Sequence, residues 1–244
     1  MTKQLPKHFH RLQRSEQFTF SCHPGISCFT ECCRELDLVL TPYDVIRLKN
    51  RLDIHSGRFL EQYVIIKWDE NTVFPQCYLT MVDDGRASCV FVSTEGCTVY
   101  EDRPSACRAY PIGRGATRQQ DGQVEEQFVL VREPHCKGFE EPSPRTSDSY
   151  FADQGLAEYT RFNDELMRIL QHEKIMNGYR LSRQQVEQFL LALYNLDMFR
   201  QEMSDGRISM NRPLIPEELQ GLTGDDEKLL LLSIKWLKQE LFNE

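Results

Sequence analysis

Apolar residues recur at helical spacing through the C-terminal part of the chain. In YFADQGLAEYTRFNDELMRILQHEK, Leu156, Tyr159, Phe162, Leu166, Ile169 and Leu170 fall near one face, which predicts an amphipathic helix. SRQQVEQFLLALYNLDMFRQEM continues the period from Ser182, a good N-cap. After the loop NRPLIPEELQGLTG, the segment DDEKLLLLSIKWLKQELFNE is again amphipathic. Together they predict a helical bundle region over residues 149–244. The preceding stretch EEPSPRTSD, residues 140–148, holds Pro and Ser but no apolar anchor, and is the best linker candidate.

Upstream, the apolar pattern breaks into shorter pieces. In LDLVLTPYDVIRLKNRLDI, Thr41 suits an N-cap, Pro42 the first helical position, and Asp44 completes a capping box. Ser56 is expected to cap a second helix, GRFLEQYV, with Phe59, Leu60 and Tyr63 on one side. From Gln76 to Tyr100 the pattern is that of strands: QCYLTMV and ASCVFV flank the turn DDGR, and STEG precedes CTVY. RPSACRAY reads as a short helical turn, and a hairpin is expected around Gln119–Gln123 with EEQFVLVR as its return strand. The fold class is therefore α+β: a flexible tail over residues 1–21, a small cysteine-rich module of short strands and helices over residues 22–140, then the helical half.

Composition narrows the functions. With 40% apolar and 27% charged residues in a chain of 244, the sequence is that of a globular protein. No apolar run approaches the roughly 20 residues that span a bilayer. The first 20 residues are polar and basic without the apolar stretch of a secretory signal, so the expected location is the cytoplasm. Net charge is −8, and residues 1–140 hold 17 Lys and Arg against 19 Asp and Glu. No clustered positive charge is there to meet a phosphate backbone, which argues against nucleic acid. A protein partner or protein substrate remains.

Cysteine changes the picture most. The nine cysteines all fall within the first 136 residues. In a chain without an export signal, clustered thiols point to metal ligands rather than disulfides. Cys22, Cys28, Cys32 and Cys33 lie in a turn-rich segment, followed by Cys89, Cys97, Cys107 and Cys136. Cys77 alternates with apolar residues in an expected strand and reads as a half-buried small hydrophobe. The remaining eight could form two four-thiolate sites. Adjacent side chains diverge, so Cys32 and Cys33 either serve two sites or divide into one ligand and one packing residue. Structural zinc sites usually carry C-x2-C or C-x4-C knuckles. Cys28 and Cys33 stand at the C-x4-C spacing but no C-x2-C occurs, and the missing C-x2-C knuckles favour an iron–sulfur cluster over zinc, although the spacing matches neither common ferredoxin pattern.

The cluster ending in Cys32-Cys33, the cysteine-rich hairpin and the segment CTVYEDRPSACRAYP resemble the YkgJ-type cysteine-cluster family, described as zinc- or iron-chelating. The family's C-x(7–9)-C and R-P-x2-C-R-x-Y/F-P elements appear here through Cys89, Cys97, Arg103, Pro104, Cys107, Arg108, Tyr110 and Pro111. The first cluster departs from the family's C-x2-C-x2-C-C, with spacings of five and three. Flagellin lysine N-methylase carries a similar cluster. The resemblance thus implies, as an alternative, a metal-dependent protein-modifying enzyme using S-adenosylmethionine.

Around the cysteines, Arg103 and Arg108 bracket Cys107. They could offset thiolate charge or bind an anionic cofactor, or else pair at the surface with Glu101 or Asp102. Tyr100 and Tyr110 could cover the metal site but are expected in the core, and His23 and His135 could supply nitrogen ligands but are expected in solvated or supporting positions. Gly113 and Gly115 read as a turn, because no nucleotide-binding fingerprint surrounds them. Asp197 could line a cleft, but a solvated or helix-pairing role is expected. Three readings follow: a metal protein with a structural or redox role, the methyltransferase, and a metal carrier.

Overall fold

The computed structural model describes residues 6–68, 72–119, 121–208, 210, 222 and 224–244. The chain forms two compact units that interleave in sequence: Met1–Leu38 with Thr80–Thr160, and Val39–Leu79 with Arg161–Glu244. Boundaries drawn along the sequence, at 22–140 and 149–244, miss this, because residues 39–79 belong with the C-terminal helices. The fold is α+β with a helical C-terminal half. No helix among the described residues is long and apolar enough to cross a membrane.

The first unit is built on a three-stranded antiparallel sheet in which Val124–Val131 lies between Phe9–Leu12 and Ile112–Arg118. The expected hairpin is present, with Val124 opposite Arg118 and Leu130 opposite Ile112. Phe128 and Leu130 alternate with more exposed neighbours and turn one face inward. They pack with Leu12, Phe18, Phe20, Ile112 and Tyr150 into an aromatic-rich core. The expected flexible tail is therefore corrected from Phe9 onward, since Phe9–Leu12 pairs with Phe128–Val131 and Leu12, Phe18 and Phe20 are buried. Gly113 and Gly115 lie within a strand rather than a turn. The linker candidate is also structured. Pro144–Arg145 pairs with Phe18–Thr19, and Thr146 caps the helix Ser147–Asp153. Main-chain pairing and capping need no apolar anchor, which is why composition did not reveal them.

In the second unit, the helix Pro42–Arg51 begins with the expected capping box: Asp44 N–H donates to Thr41 Oγ1 at 3.3 Å, and Thr41 N–H to Asp44 Oδ2 at 2.8 Å. Ser56 does not cap its own helix, Ser56–Tyr63; His55 occupies that position. Its hydroxyl accepts instead from Asp197 N–H at 3.0 Å, at the start of the helix Leu196–Ser204. In return, Ser56 N–H donates to Asp197 Oδ2 at 2.8 Å. This tie accompanies a break in the long segment from Ser182 into the helices Arg183–Leu193 and Leu196–Ser204. Gln76–Leu79 pairs with Val64–Lys67, and of the expected strand QCYLTMV only Met81–Val82 pairs across the DDGR turn, with Ser88–Cys89. Cys77 is wholly buried in that strand. The helix Asp226–Phe242 packs on Arg183–Leu193 and Leu196–Ser204. Most of the NRPLIPEELQGLTG loop lies outside the described residues.

Candidate metal centre

All eight cysteines singled out as ligands lie in the first unit, and Cys77 lies in the second. The segment from Ser21 to Asp37, which carries four of the eight, contains no buried residue. Its only regular element is a 3-10 turn over Glu31–Cys33. Thr30 before that turn and Glu35 after it take left-handed φ values of 67° and 53°. Such conformations cost of order 1 kcal/mol each in a non-glycine residue, so the loop accepts strain to present Cys32 and Cys33 as it does.

Cys22, Cys28, Cys32 and Cys136 line one hollow with Phe20, Ile26, Tyr110 and His135. A turn brings Cys136 there. Cys136 N–H donates to the Glu133 carbonyl at 3.0 Å, Lys137 N–H to Cys28 Sγ at 3.1 Å, and Ser21 N–H to the Gly138 carbonyl at 3.0 Å. Gly138 is required by this approach, because a Cβ there would stand 2.6 Å from Phe20 Cε2 and 2.8 Å from the Ser21 carbonyl oxygen. Gly138→Ala is expected to cost about 1–3 kcal/mol by overpacking and to loosen Cys136 from Cys28. Chemical denaturation of the variant checks the first effect, and its metal content the second.

Cys33, Cys89, Cys97 and Cys107 form a second group. A bridge between Arg34 and Ser88 sets Cys33 and Cys89 side by side along the chain. Two-residue strands then pair Met81 with Cys89 and Val92 with Cys97. Phe91 N–H donates to Cys89 Sγ at 3.5 Å. Cys107 rides on the short helix Ser105–Ala109.

Electrostatics follows this grouping only in part, because the charge of Cys32 also raises Cys33, Cys89 and Cys97. Burial, and then the neighbouring Cys32, Cys28 and Cys136, push the Cys22 thiol up to about 11, although Cys22 is the most exposed of the nine. A hydrogen bond from Cys33 lowers Cys32 to about 7 against the effect of burial. Cys33 is driven well up by that bond, then by burial and the charges of Cys32, Cys107 and Cys89. Burial also raises Cys89, Cys97 and Cys136. Packed thiols that resist ionisation for want of a counter-charge are what a bound cation would relieve.

Arg103 and Arg108 are both buried, and their guanidinium groups are taken up by the protein. Arg103 donates to the Tyr100 carbonyl at 2.6 Å and to Gln154 Oε1 at 2.5 Å. Arg108 donates to the carbonyls of Arg103 at 3.1 Å, of Gln154 at 2.7 Å and of Glu101. They fasten the Cys107 helix to the C-terminal end of Ser147–Asp153, where backbone carbonyls lack helical partners. The charge of Arg103 still reaches both groups, lowering Cys22 and Cys97. Tyr100 is exposed rather than in the core, and Arg103 stacks 3.8 Å from its ring. Tyr110 packs on the core and hydrogen-bonds both Cys136 and Glu133 Oε2, the latter at 3.0 Å. Glu133 was missed from sequence; its place three residues before Cys136 was the available signal. His135 lines the first hollow, 3.6 Å from Glu133, and His23 lies 3.4 Å from Glu141.

Among the described residues, no three Cys, His, Asp or Glu side chains are already drawn into a coordinating set. The donors nonetheless suit a thiophilic metal, since each group offers four sulfurs and the sulfurs of Cys28 and Cys89 accept main-chain hydrogen bonds. Fold and site together define a cysteine-rich domain whose donors suit a metal. Residues 21–137, just under half of the chain, match the CxxCxxCC family model, described as a "putative zinc- or iron-chelating domain". No curated protein and no solved structure matches the chain.

Proposed function

We propose that this protein holds an iron–sulfur cluster or zinc through Cys22, Cys28, Cys32, Cys33, Cys89, Cys97, Cys107 and Cys136, in a structural or redox role. One observation carries the reading: a segment with no buried residue presents four cysteines to four others from distant parts of the same unit. Apolar packing cannot account for that arrangement, whereas metal–thiolate bonds can. A bound cluster would supply one-electron chemistry, and zinc would supply cross-linking alone.

The chain's own groups support the sulfurs. The main-chain N–H groups of Lys137 and Phe91 donate to Cys28 and Cys89, and the Tyr110 hydroxyl bonds Cys136. Hydrogen bonds to ligating sulfur set cluster potential. The net charge of −8 suits a protein partner better than nucleic acid or an anionic membrane. No observation among the described residues favours the S-adenosylmethionine or carrier readings.

Protein purified without oxygen and assayed for iron, zinc and acid-labile sulfide tests the proposal. Brown protein with iron and sulfide in equal amounts supports a cluster. Colourless protein with zinc supports the zinc form, and protein lacking both metals rejects the reading.

A further inference from the structure

Resting on that metal reading, we infer that the eight cysteines make two separate centres: Cys22, Cys28, Cys32 and Cys136 hold one, and Cys33, Cys89, Cys97 and Cys107 hold the other. The two meet at the Cys32–Cys33 peptide. Four thiolates complete the coordination of a tetrahedral zinc or of an iron–sulfur cluster, so eight make two full sets. Their division is read from the hollow, which Cys32 lines and Cys33, Cys89, Cys97 and Cys107 do not. The two sets lie close together, because the Cys32 and Cys33 side chains hydrogen-bond each other across the boundary.

Cys32 turns into the hollow shared with Cys22, Cys28 and Cys136. Cys33 adjoins the strand that carries Cys89, through the Arg34–Ser88 bridge. The surroundings differ as well. The first set backs onto the aromatic core, where Cys136 and Tyr110 pack against it, and it opens to solvent at Cys22. The second is held by two-residue strands and the Cys107 helix. A single peptide, about 3.8 Å between α-carbons, links the centres, so filling one orders the turn that presents the ligand of the other.

The experiment compares metal per chain in anaerobically purified wild-type protein, Cys136→Ser, Cys107→Ser and the double variant, with far-ultraviolet circular dichroism on each. Two centres predict that each single variant keeps about half of the wild-type metal and that the double variant keeps none. A folded single variant that keeps all of its metal, or loses all of it, overturns the division. Should a single variant not fold, titration of the reduced, metal-free wild-type chain with Co(II) decides. Thiolate-to-cobalt absorption rising to two equivalents supports two centres, and levelling at one overturns them. Wild-type protein that binds no metal at all would instead reject the parent proposal, a distinct result.

Discussion

Removing the metal with a strong chelator under reducing, anaerobic conditions is expected to unfold the Met1–Leu38 and Thr80–Thr160 unit. Metal–thiolate binding contributes on the order of 10 kcal/mol to small thiolate domains, comparable with the whole stability of a typical domain, about 5–15 kcal/mol. The apolar core of this unit is built from Leu12, Phe18, Phe20, Ile112, Phe128, Leu130 and Tyr150. It anchors the sheet, but it does not extend to the segment between Ser21 and Asp37. Without metal, left-handed Thr30 and Glu35 and the packed thiols would stay unfavourable with nothing to offset them. Amide hydrogen exchange checks the prediction: protection of residues 21–37 and 80–110 should collapse on chelation, and the Phe128–Leu130 strand should weaken less. Unchanged protection after complete loss of metal would contradict it.

Lys49→Met is expected to destabilise the other unit by about 3–5 kcal/mol, because it strands two buried carboxylates. The Lys49 ammonium lies 3.2 Å from Asp197 Oδ2 and 2.7 Å from Asp226 Oδ2, with all three side chains at most 10% exposed. Arg200 bonds the same two carboxylates, at 2.8 Å and 2.5 Å, and would remain as partial compensation. Burial opposes ionisation of Asp197, but the Ser56 N–H and Lys49 outweigh it and hold its pKa down. Asp226 is likewise lowered against burial, by Lys49 and Arg200. Depressed carboxylate pKa values contribute stability above the unfolded value of about 4, and that stability disappears as pH falls through the folded value. The deficit of Lys49→Met should therefore be largest near neutral pH and shrink in acid. Urea denaturation at several pH values would show it, and a deficit that grows on acidification would refute this account.

Several features were legible in the residues alone. Thr41-Pro42-Tyr43-Asp44 announces a capping box because the interaction spans three residues. The hairpin around residues 119–123 follows from local turn chemistry, and Cys77 separates from the other thiols through its alternation with apolar neighbours. Asp197 pairs between helices, and of the roles open to it in the sequence the solvated one is set aside. What escaped depends on distant partners. Ser56 looks like the cap of its own helix, yet it serves Asp197, more than a hundred residues away. Nothing local distinguishes Gly138 from other glycines until Phe20 is placed against it. Arg103 and Arg108 read equally as partners of thiolates or anions and as surface pairs of Glu101 or Asp102, and only the fold shows Gln154 receiving both. The interleaving of the units has the same origin, since contact between residues 39–79 and the C-terminal helices leaves no periodic trace.

The most direct test is a count of reactive thiols in the natively folded, anaerobically isolated protein, before and after chelation in denaturant. Sulfurs committed to inorganic centres, together with Cys77 enclosed in its strand, should leave the native protein almost unreactive, with all nine released at the end. Prompt modification of the eight remaining thiols in a protein that keeps its structure and gives up no metal would contradict the account.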